Sequence, residues 1–217
     1  MKKILLVPLL AGSLSLMAAC GDANDSGPGD DAVQAISCEY PADGNPAKAV
    51  DPPSTTDVKN AGAASATIHL TAGDIEIALD RATTPCTVNS FESLAQQGYF
   101  DDTACHRLVD QGIFVLQCGD PSGTGMGGPG YSFADETNAS MKYPAGTVAM
   151  ANAGPDTNGS QFFLVYADTD LPPQYTVFGT MDQAGIDVVG GIAAQGVAAE
   201  DQTSPIAEAL ITSVTLG

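Results

Sequence analysis

Residues 105–120 read CHRLVDQGIFVLQCGD, the pattern of two strands joined by a tight turn. The runs Cys105–Val109 and Ile113–Gln117 both carry the apolar and β-branched residues that strands favour. Between them stand Asp110, Gln111 and Gly112, a polar, glycine-ended triplet typical of a hairpin loop. The stretch therefore predicts an antiparallel β-hairpin.

Arg107 is unusual in this hairpin because it shares a strand face with an apolar residue. Side chains alternate across a strand, so Arg107 and Val109 point to one face, with Phe114 a candidate neighbour across the hairpin. A guanidinium among apolar side chains needs something to pair with. An arginine that extends from the sheet into water gives the same pattern, and the residue types alone favour that interpretation.

The surrounding chain also favours short strands. A second hairpin is predicted over Ala66–Asp80, with its turn at Ala72–Asp74. A helix follows, with Thr84 as its N-cap and Gly98 after its end, and a shorter helix is predicted near Ile186–Ala193. Further strands are predicted at Thr147–Met150, Phe162–Tyr166, Thr176–Thr180 and Ala209–Leu216. Many short strands with two helices indicate a mainly β fold, a closed antiparallel barrel.

The N-terminus has the composition of an export signal. Lys2 and Lys3 precede an apolar run that ends in small residues before Cys20. An Ala-Ala-Cys sequence at this place is typical of a bacterial lipoprotein, in which the cysteine becomes the lipidated N-terminus. We expect residues 1–19 to be a lipoprotein signal peptide, and the protein to be lipid-anchored to a membrane through Cys20, in the cell envelope outside the cytoplasm.

Residues 20–62 have the composition of a tether. They are rich in Gly, Pro, Asp, Ser and Ala and show no apolar periodicity, so we expect a flexible, lipid-anchored segment. Only Ile36–Tyr40 has the character of a patch that could dock on a folded part. Residues 63–217 then form one folded domain.

The formal net charge of −19 at pH 7 excludes several classes of partner. Nucleic-acid binding needs clustered Lys and Arg, and a protein this acidic is not expected to bind it. Adsorption to an anionic membrane through a basic patch is excluded for the same reason. The acidic side chains are expected to form a solvated coat.

Four cysteines remain besides Cys20, an even number that predicts disulfides in an oxidising compartment. They are Cys38, Cys86, Cys105 and Cys118, and they allow three pairings. Metal binding is disfavoured because there is no C-x-x-C spacing and the chain has only two histidines, so no metal is expected.

The sequence GTGMGG at Gly123–Gly128 matches a dinucleotide-binding pattern in letters only. That motif requires a helix immediately afterwards, whereas Pro129 and Gly130 follow here. We interpret the glycines as a tight loop and expect no cofactor. No nucleophile-elbow sequence is present either, so hydrolysis lacks a candidate nucleophile.

Three blocks of the chain closely resemble the cyclophilin family of peptidyl-prolyl cis-trans isomerases. They are CHRLVDQGIFVLQCGDPSGTGMGGPGYSFADE, GTVAMANAGPDTNGSQFFLVY and YTVFG, in the order in which that family carries them. The resemblance covers roughly Ala66–Leu216. It implies a closed eight-stranded antiparallel cyclophilin-like barrel capped by two helices, and rotation about Xaa-Pro bonds as the activity.

The resemblance also implies roles for individual residues. Catalysis would rest on Arg107, on Gln117, which positions that arginine, and on Asn152, which holds the substrate backbone. The residues implied to contact substrate are His106, Phe114, Val115, Ala151, Gln161, Phe163, Leu171, Pro172 and Tyr175. Among these, Phe114 and Phe163 would form the aromatic floor of a proline pocket.

The chain departs from the family pattern at three places. The turn between His106 and Gln117 is longer than in common eukaryotic members, and Asp156 replaces a usual asparagine. The chain has no tryptophan, and Leu171 stands where cyclosporin-sensitive members carry one. We therefore expect cyclosporin to inhibit weakly.

The implied hairpin also suggests a disulfide pairing. If His106 faces Gln117, then Cys105 faces Cys118, and directly opposed cysteines can come within disulfide reach. Cys38 and Cys86 would then pair, stapling the tether to the first helix.

The expected protein is a monomeric peptidyl-prolyl isomerase that acts on proline-containing segments of exported proteins and assists their folding. It would meet a membrane only through its lipid anchor. The alternative is a binding module that captures proline-containing segments as a holdase or scaffold, with catalysis incidental. Arg107 favours the enzyme, because capture alone does not require that arginine.

Overall fold

The computed structural model describes residues 35–217, so the predicted signal peptide and Cys20 lie outside the described residues. The elements in chain order are β1 Ala35–Ile36, β2 Val58–Lys59, β3 Ser65–Leu70, β4 Gly73–Leu79, α1 Pro85–Gln96, β5 Thr103–Ala104, β6 Arg107–Val109, β7 Val115–Cys118, β8 Thr147–Met150, β9 Phe162–Val165, β10 Val177–Met181, α2 Gln183–Ala193 and β11 Leu210–Leu216. The fold is mainly β, as predicted.

Nine of these strands form one antiparallel sheet in the order β5-β11-β3-β4-β10-β8-β9-β7-β6, and β1 and β2 form a separate two-stranded sheet. The expected closed eight-stranded barrel is not matched as stated. The reason is local: one strand was predicted over Cys105–Val109, but residues 103–109 form two short strands that are separated by Cys105 and His106. The first strand pairs with β11 and the second with β7, so the two edge strands are joined by only two residues.

The hairpin of β3 and β4 forms because its side chains alternate. Ile75, Ile77 and Leu79 are buried, and the residues between them are exposed. Alternate burial is what a sheet with one face on the core requires. The predicted face of this hairpin is therefore confirmed.

Helix α1 buries the predicted apolar stripe, including Phe91 and Leu94. Thr84 occupies the N-cap position but makes no side-chain cap; its hydroxyl donates to the Asp80 carbonyl at 2.9 Å. The first-turn N–H groups instead reach Glu136, whose carboxylate accepts from Cys86 N at 3.0 Å and Thr87 N at 2.8 Å. A carboxylate there satisfies free donors and complements the helix dipole.

The described part of the predicted tether, residues 35–62, packs on the domain. A disulfide joins Cys38 to Cys86 of α1, as predicted. Tyr40 is buried, and its hydroxyl donates to the Cys86 carbonyl at 2.8 Å. The compact unit therefore begins before residue 63. Within the described residues, none of the helices combines the length and apolar character needed to cross a bilayer.

Candidate active site

Strand register brings three predicted site residues into one row. Arg107 pairs with Gln117 across β6 and β7, and Gln117 pairs with Phe163 across β7 and β9. Residues that face each other across strands share a sheet face. This face carries a small apolar cluster of its own, made of Val115, Tyr143, Ala149, Phe163 and Val165, separate from the main core.

A cavity of about 130 Å³ opens on this face. It is lined by Arg107, Ile113, Val115, Gln117, Ala151, Asn152, Phe163, Leu171 and Tyr175. Its apolar floor includes Phe163, whose ring meets that of Tyr175 edge-on at 5.5 Å between centroids. Drug-sized ligands occupy cavities of about 300 Å³ or more, so this one fits a small ring.

The guanidinium of Arg107 lies at the wall of this cavity. Its Nη1 donates to Gln117 Oε1 at 3.1 Å, the one hydrogen bond of this side chain within residues 35–217. No carboxylate in that range forms an ion pair with it. Because a guanidinium has five N–H donors and stays charged, Arg107 keeps donors for a bound molecule.

A relay of amides fixes the position of Gln117. Gln117 Nε2 donates to Gln161 Oε1 at 2.8 Å. Gln161 Nε2 in turn donates to the carbonyls of Gly125 and Gly127 at 3.0 and 2.9 Å. The relay connects the Gly-rich loop, residues 119–130, to Arg107 through the side chains of Gln117 and Gln161.

Asp120 organises the Gly-rich loop from a fully buried position. Its carboxylate accepts from Ser122 N, Gly125 N and Gly127 N at 2.8, 2.7 and 3.0 Å. Burial by itself raises the pKa of Asp120, but these bonds and the one from the Ser122 hydroxyl outweigh burial and lower the pKa. A Cβ at Gly127 would lie 2.0 Å from Asp120 Oδ1, so a side chain cannot stand there. The glycines thus form a tight loop, as predicted.

His106 lies beneath this loop instead of in the cavity wall. Both ring nitrogens are buried and have no hydrogen-bond partner among residues 35–217, and a Cβ at Gly125 would lie 3.4 Å from the Nε2 atom. Burial lowers the pKa of His106, so the ring is neutral at pH 7. Its place is that of a packing residue next to Arg107.

Phe114 does not line the cavity, so its assignment to the pocket floor is wrong. Its ring packs edge-on against Tyr166 at 5.9 Å, and its N–H donates to the Thr169 hydroxyl at 2.9 Å. Ile113 takes the place in the cavity. The reason is that side chains alternate along the strand. Ile113, Val115 and Gln117 therefore lie on the face with the cavity, and Phe114 lies on the other face.

Asn152 lines the cavity. Its side-chain amide donates to the Gln174 carbonyl at 2.9 Å, which ties it to the opposite loop. Within residues 35–217, no hydrogen bond uses its backbone N–H or C=O. These free groups suit an extended peptide lying alongside. Pro172 is exposed and does not line the cavity, whereas Leu171 and Tyr175 do.

Tyr143 supports the floor, a role that the sequence did not reveal. Its hydroxyl donates to the Tyr175 carbonyl at 3.1 Å and accepts from Tyr175 N at 3.0 Å. Both bonds hold Tyr175 at the cavity edge. The only sequence signal was an apolar-bodied residue in a loop, which does not identify a contact across 32 positions.

The disulfide between Cys105 and Cys118 flanks the site, with Cα atoms 4.0 Å apart. The pairing is the predicted one, but the register behind it is off by one, because Gln117 faces Arg107 and not His106. The ladder stops before Cys105, where the chain is irregular, so the two cysteines meet across a diagonal.

A second cavity of about 550 Å³ adjoins the first and shares Gln117, Ala151 and Asn152 with it. Its other walls include Gln161, the Gly-rich loop and Asp43–Asn45. Among the described side chains, no group of three or more His, Cys, Asp or Glu could hold a metal ion.

Comparison with known proteins gives consistent matches. Residues 65–216 match the model of the cyclophilin type peptidyl-prolyl cis-trans isomerase family. The probable peptidyl-prolyl cis-trans isomerase B of Mycobacterium tuberculosis is 49% identical over 197 residues, covering 82% of this chain and 63% of that protein. The peptidyl-prolyl cis-trans isomerase A of the same species is 41% identical over 171 residues, covering 70% and 92%.

Solved structures agree. A cyclophilin type peptidyl-prolyl cis-trans isomerase of Cryptosporidium parvum superposes with a TM-score of 0.64 at 30% identity, covering 72% of this chain and 98% of that one. A second crystal structure of it, in the presence of the dipeptide Ala-Pro, has a TM-score of 0.63. The chain spans less than two thirds of the length of the isomerase B, which is 63% covered.

Proposed function

Because the chain belongs to the cyclophilin-type peptidyl-prolyl cis-trans isomerase family, we propose that it accelerates rotation about Xaa-Pro bonds in polypeptides. One observation carries the proposal: Arg107, with donors unused within the described residues, borders a small apolar cavity. The named relatives are isomerases, and one solved relative was crystallised with a proline dipeptide.

The geometry suits this reaction. Rotation of a peptide bond has a barrier of about 18–20 kcal/mol, since the nitrogen lone pair is conjugated with the carbonyl. Twisting frees that lone pair, which can then accept a hydrogen bond from Arg107. A donor that binds the twisted amide more strongly than the planar one lowers the barrier.

The other cavity residues hold the substrate for this step. Phe163, Val115 and Ile113 provide the apolar surface for a proline ring. The free backbone of Asn152 holds one side of the rotating bond while Arg107 contacts the other. The reaction breaks no covalent bond, so the neutral His106 has no acid or base role.

The test is cis-trans exchange of an Ala-Pro peptide, measured by NMR line shape for the wild type and for Arg107→Ala. We expect kcat/KM to fall on the order of 100-fold, the effect of removing a transition-state donor. Arg81→Ala is the matched control, because Arg81 pairs with Glu92 at 2.6 Å outside the cavity. Equal rates for Arg107→Ala and wild type would remove the catalytic claim. Peptide binding without turnover by the wild type would favour the capture module.

We further propose that the protein works outside the cytoplasm, as a monomer lipid-anchored at Cys20, on exported proteins. The two disulfides support an oxidising compartment. The charged and apolar N-terminal pattern supports export. Fractionation of cells expressing wild type and Cys20→Ala tests this: the wild type should sediment with membranes and the variant should not.

A further inference from the structure

The Pro41–Ala47 segment precedes the family-matched residues 65–216 and crosses the Gly-rich loop. Asp43 N donates to the Gly130 carbonyl at 2.9 Å, and Ala47 N donates to the Gly128 carbonyl at 2.9 Å. The approach is close, since a Cβ at Gly130 would lie 2.9 Å from the Pro46 ring. The segment is thus an added layer on one side of the site.

Both ends of the segment are fixed to the domain. On its N-terminal side, Tyr40 is buried, with its ring edge-on to Tyr131 at 5.5 Å. On its C-terminal side, Lys48 Nζ donates to the carbonyls of Gly98 and Asp101 at 2.6 and 2.9 Å. A segment held this way loses little further entropy when a ligand contacts it.

The segment forms one wall of the second cavity. Asp43, Gly44 and Asn45 face a wall that includes Gln117, Ala151, Asn152 and Gln161. Gln117, Ala151 and Asn152 also line the smaller cavity beside Arg107. A peptide with its proline in the smaller cavity therefore places a nearby side chain in the larger one, because successive Cα atoms are about 3.8 Å apart.

Asp43 gives this cavity its charge. Among the described residues that line the cavity, Asp43 is the only Asp, Glu, Lys or Arg. Met126, whose exposed fraction is 89%, lies on the same cavity and offers apolar surface. A long side chain with a methylene stem and a cationic end matches both features.

We propose that the Pro41–Ala47 segment is a specificity element and that Asp43 selects a lysine or arginine near the substrate proline. This inference rests on the proposed isomerase function. Asp43 is exposed, so its attraction for a cation is modest and falls with added salt. We expect a preference for lysine over glutamine of about two- to fivefold in kcat/KM.

The test is a peptide series in which each of the three residues before the proline is in turn Lys, Gln or Glu, assayed by NMR exchange. The wild type should prefer Lys over Gln and Gln over Glu at one position. Asp43→Asn should remove this order, Asp43→Lys should reverse it, and 0.5 M salt should weaken it in the wild type. Asp187→Asn on α2 is the matched control. It removes the same charge at a residue that lines neither cavity, so it should keep the wild-type order of preference.

The outcomes separate the two proposals. No turnover of any peptide by the wild type would overturn the isomerase function itself. Turnover with the same Lys-to-Glu ratio in wild type and Asp43→Asn would overturn the role of Asp43 alone. If the wild type turned over all peptides at equal rates, the role of Asp43 would likewise be overturned.

Discussion

Replacing Asp120 by asparagine is expected to loosen the Gly-rich loop and, through the amide relay, the position of Arg107. One carboxylate oxygen of Asp120 accepts from Ser122 N and its hydroxyl, at 2.8 and 2.6 Å. The other accepts from Gly125 N and Gly127 N, at 2.7 and 3.0 Å. An asparagine keeps one oxygen and places an NH₂ group against the other two donors.

The expected cost follows from those two lost acceptor contacts. Each buried donor left without a partner costs about 1–3 kcal/mol, so Asp120→Asn should lower the free energy of unfolding by about 2–6 kcal/mol. The difference should also depend on pH. The pKa of Asp120 lies below its usual 3.8, so the carboxylate stabilises the fold above that pH. Its contribution is lost as the pH falls through the lower folded-state pKa. The difference in free energy of unfolding between the wild type and Asp120→Asn should then narrow.

Urea unfolding and peptide exchange measure both consequences. Asp201→Asn is the matched control, because Asp201 accepts similar turn bonds from Thr203 N and Ser204 N but is exposed. A loss below about 1 kcal/mol for Asp120→Asn would refute the reasoning about stability. For activity, Asp120→Asn and Gln117→Ala should be coupled by more than about 0.5 kcal/mol in kcat/KM, and additive effects would refute the relay.

Three further predictions concern other parts of the molecule. The double variant Cys38→Ala, Cys86→Ala removes a disulfide that closes a loop of 48 residues. It should lower the free energy of unfolding in urea by about 4 kcal/mol, and a loss below about 1 kcal/mol would contradict this. Burial lowers the pKa of His106 below 6.5, so it takes up protons first in the unfolded chain, and stability should decline from pH 7 to pH 5; His106→Phe should flatten that profile, and an unchanged slope would rule this out. Leu171→Trp should tighten cyclosporin inhibition by about tenfold, whereas nanomolar inhibition of the wild type would refute the expected weakness.

Much of the fold was predictable because apolar alternation is local. Thr147–Met150 was predicted with the bounds that the structure has, and Phe162–Tyr166 differs from β9 by one residue. Arg107, by contrast, could not be interpreted from residue type alone, since an exposed arginine gives the same alternation. Its role depended on the longer blocks of resemblance and on the row with Gln117 and Phe163.

The errors arose where an insertion or a distant contact decides the structure. Phe114 was placed in the pocket by the resemblance to the family, whereas the longer turn brings Ile113 to the cavity. Thr84 holds the N-cap position of α1 as predicted, but the first-turn N–H groups of Cys86 and Thr87 donate to a distant carboxylate. The actual partner, Glu136, lies 50 residues from Cys86, and no local pattern indicates such a pairing.

The disulfide between Cys38 and Cys86 also decides how this domain bears a mechanical load. A pull on the chain at residue 35 passes from Cys38 through the sulfur bridge directly into α1. The covalent link bypasses everything between the two cysteines, so β2, β3 and β4 cannot be peeled away from that end. Tension from the N-terminal side therefore meets the domain at a helix, while the Arg107 row stays outside the path of the force.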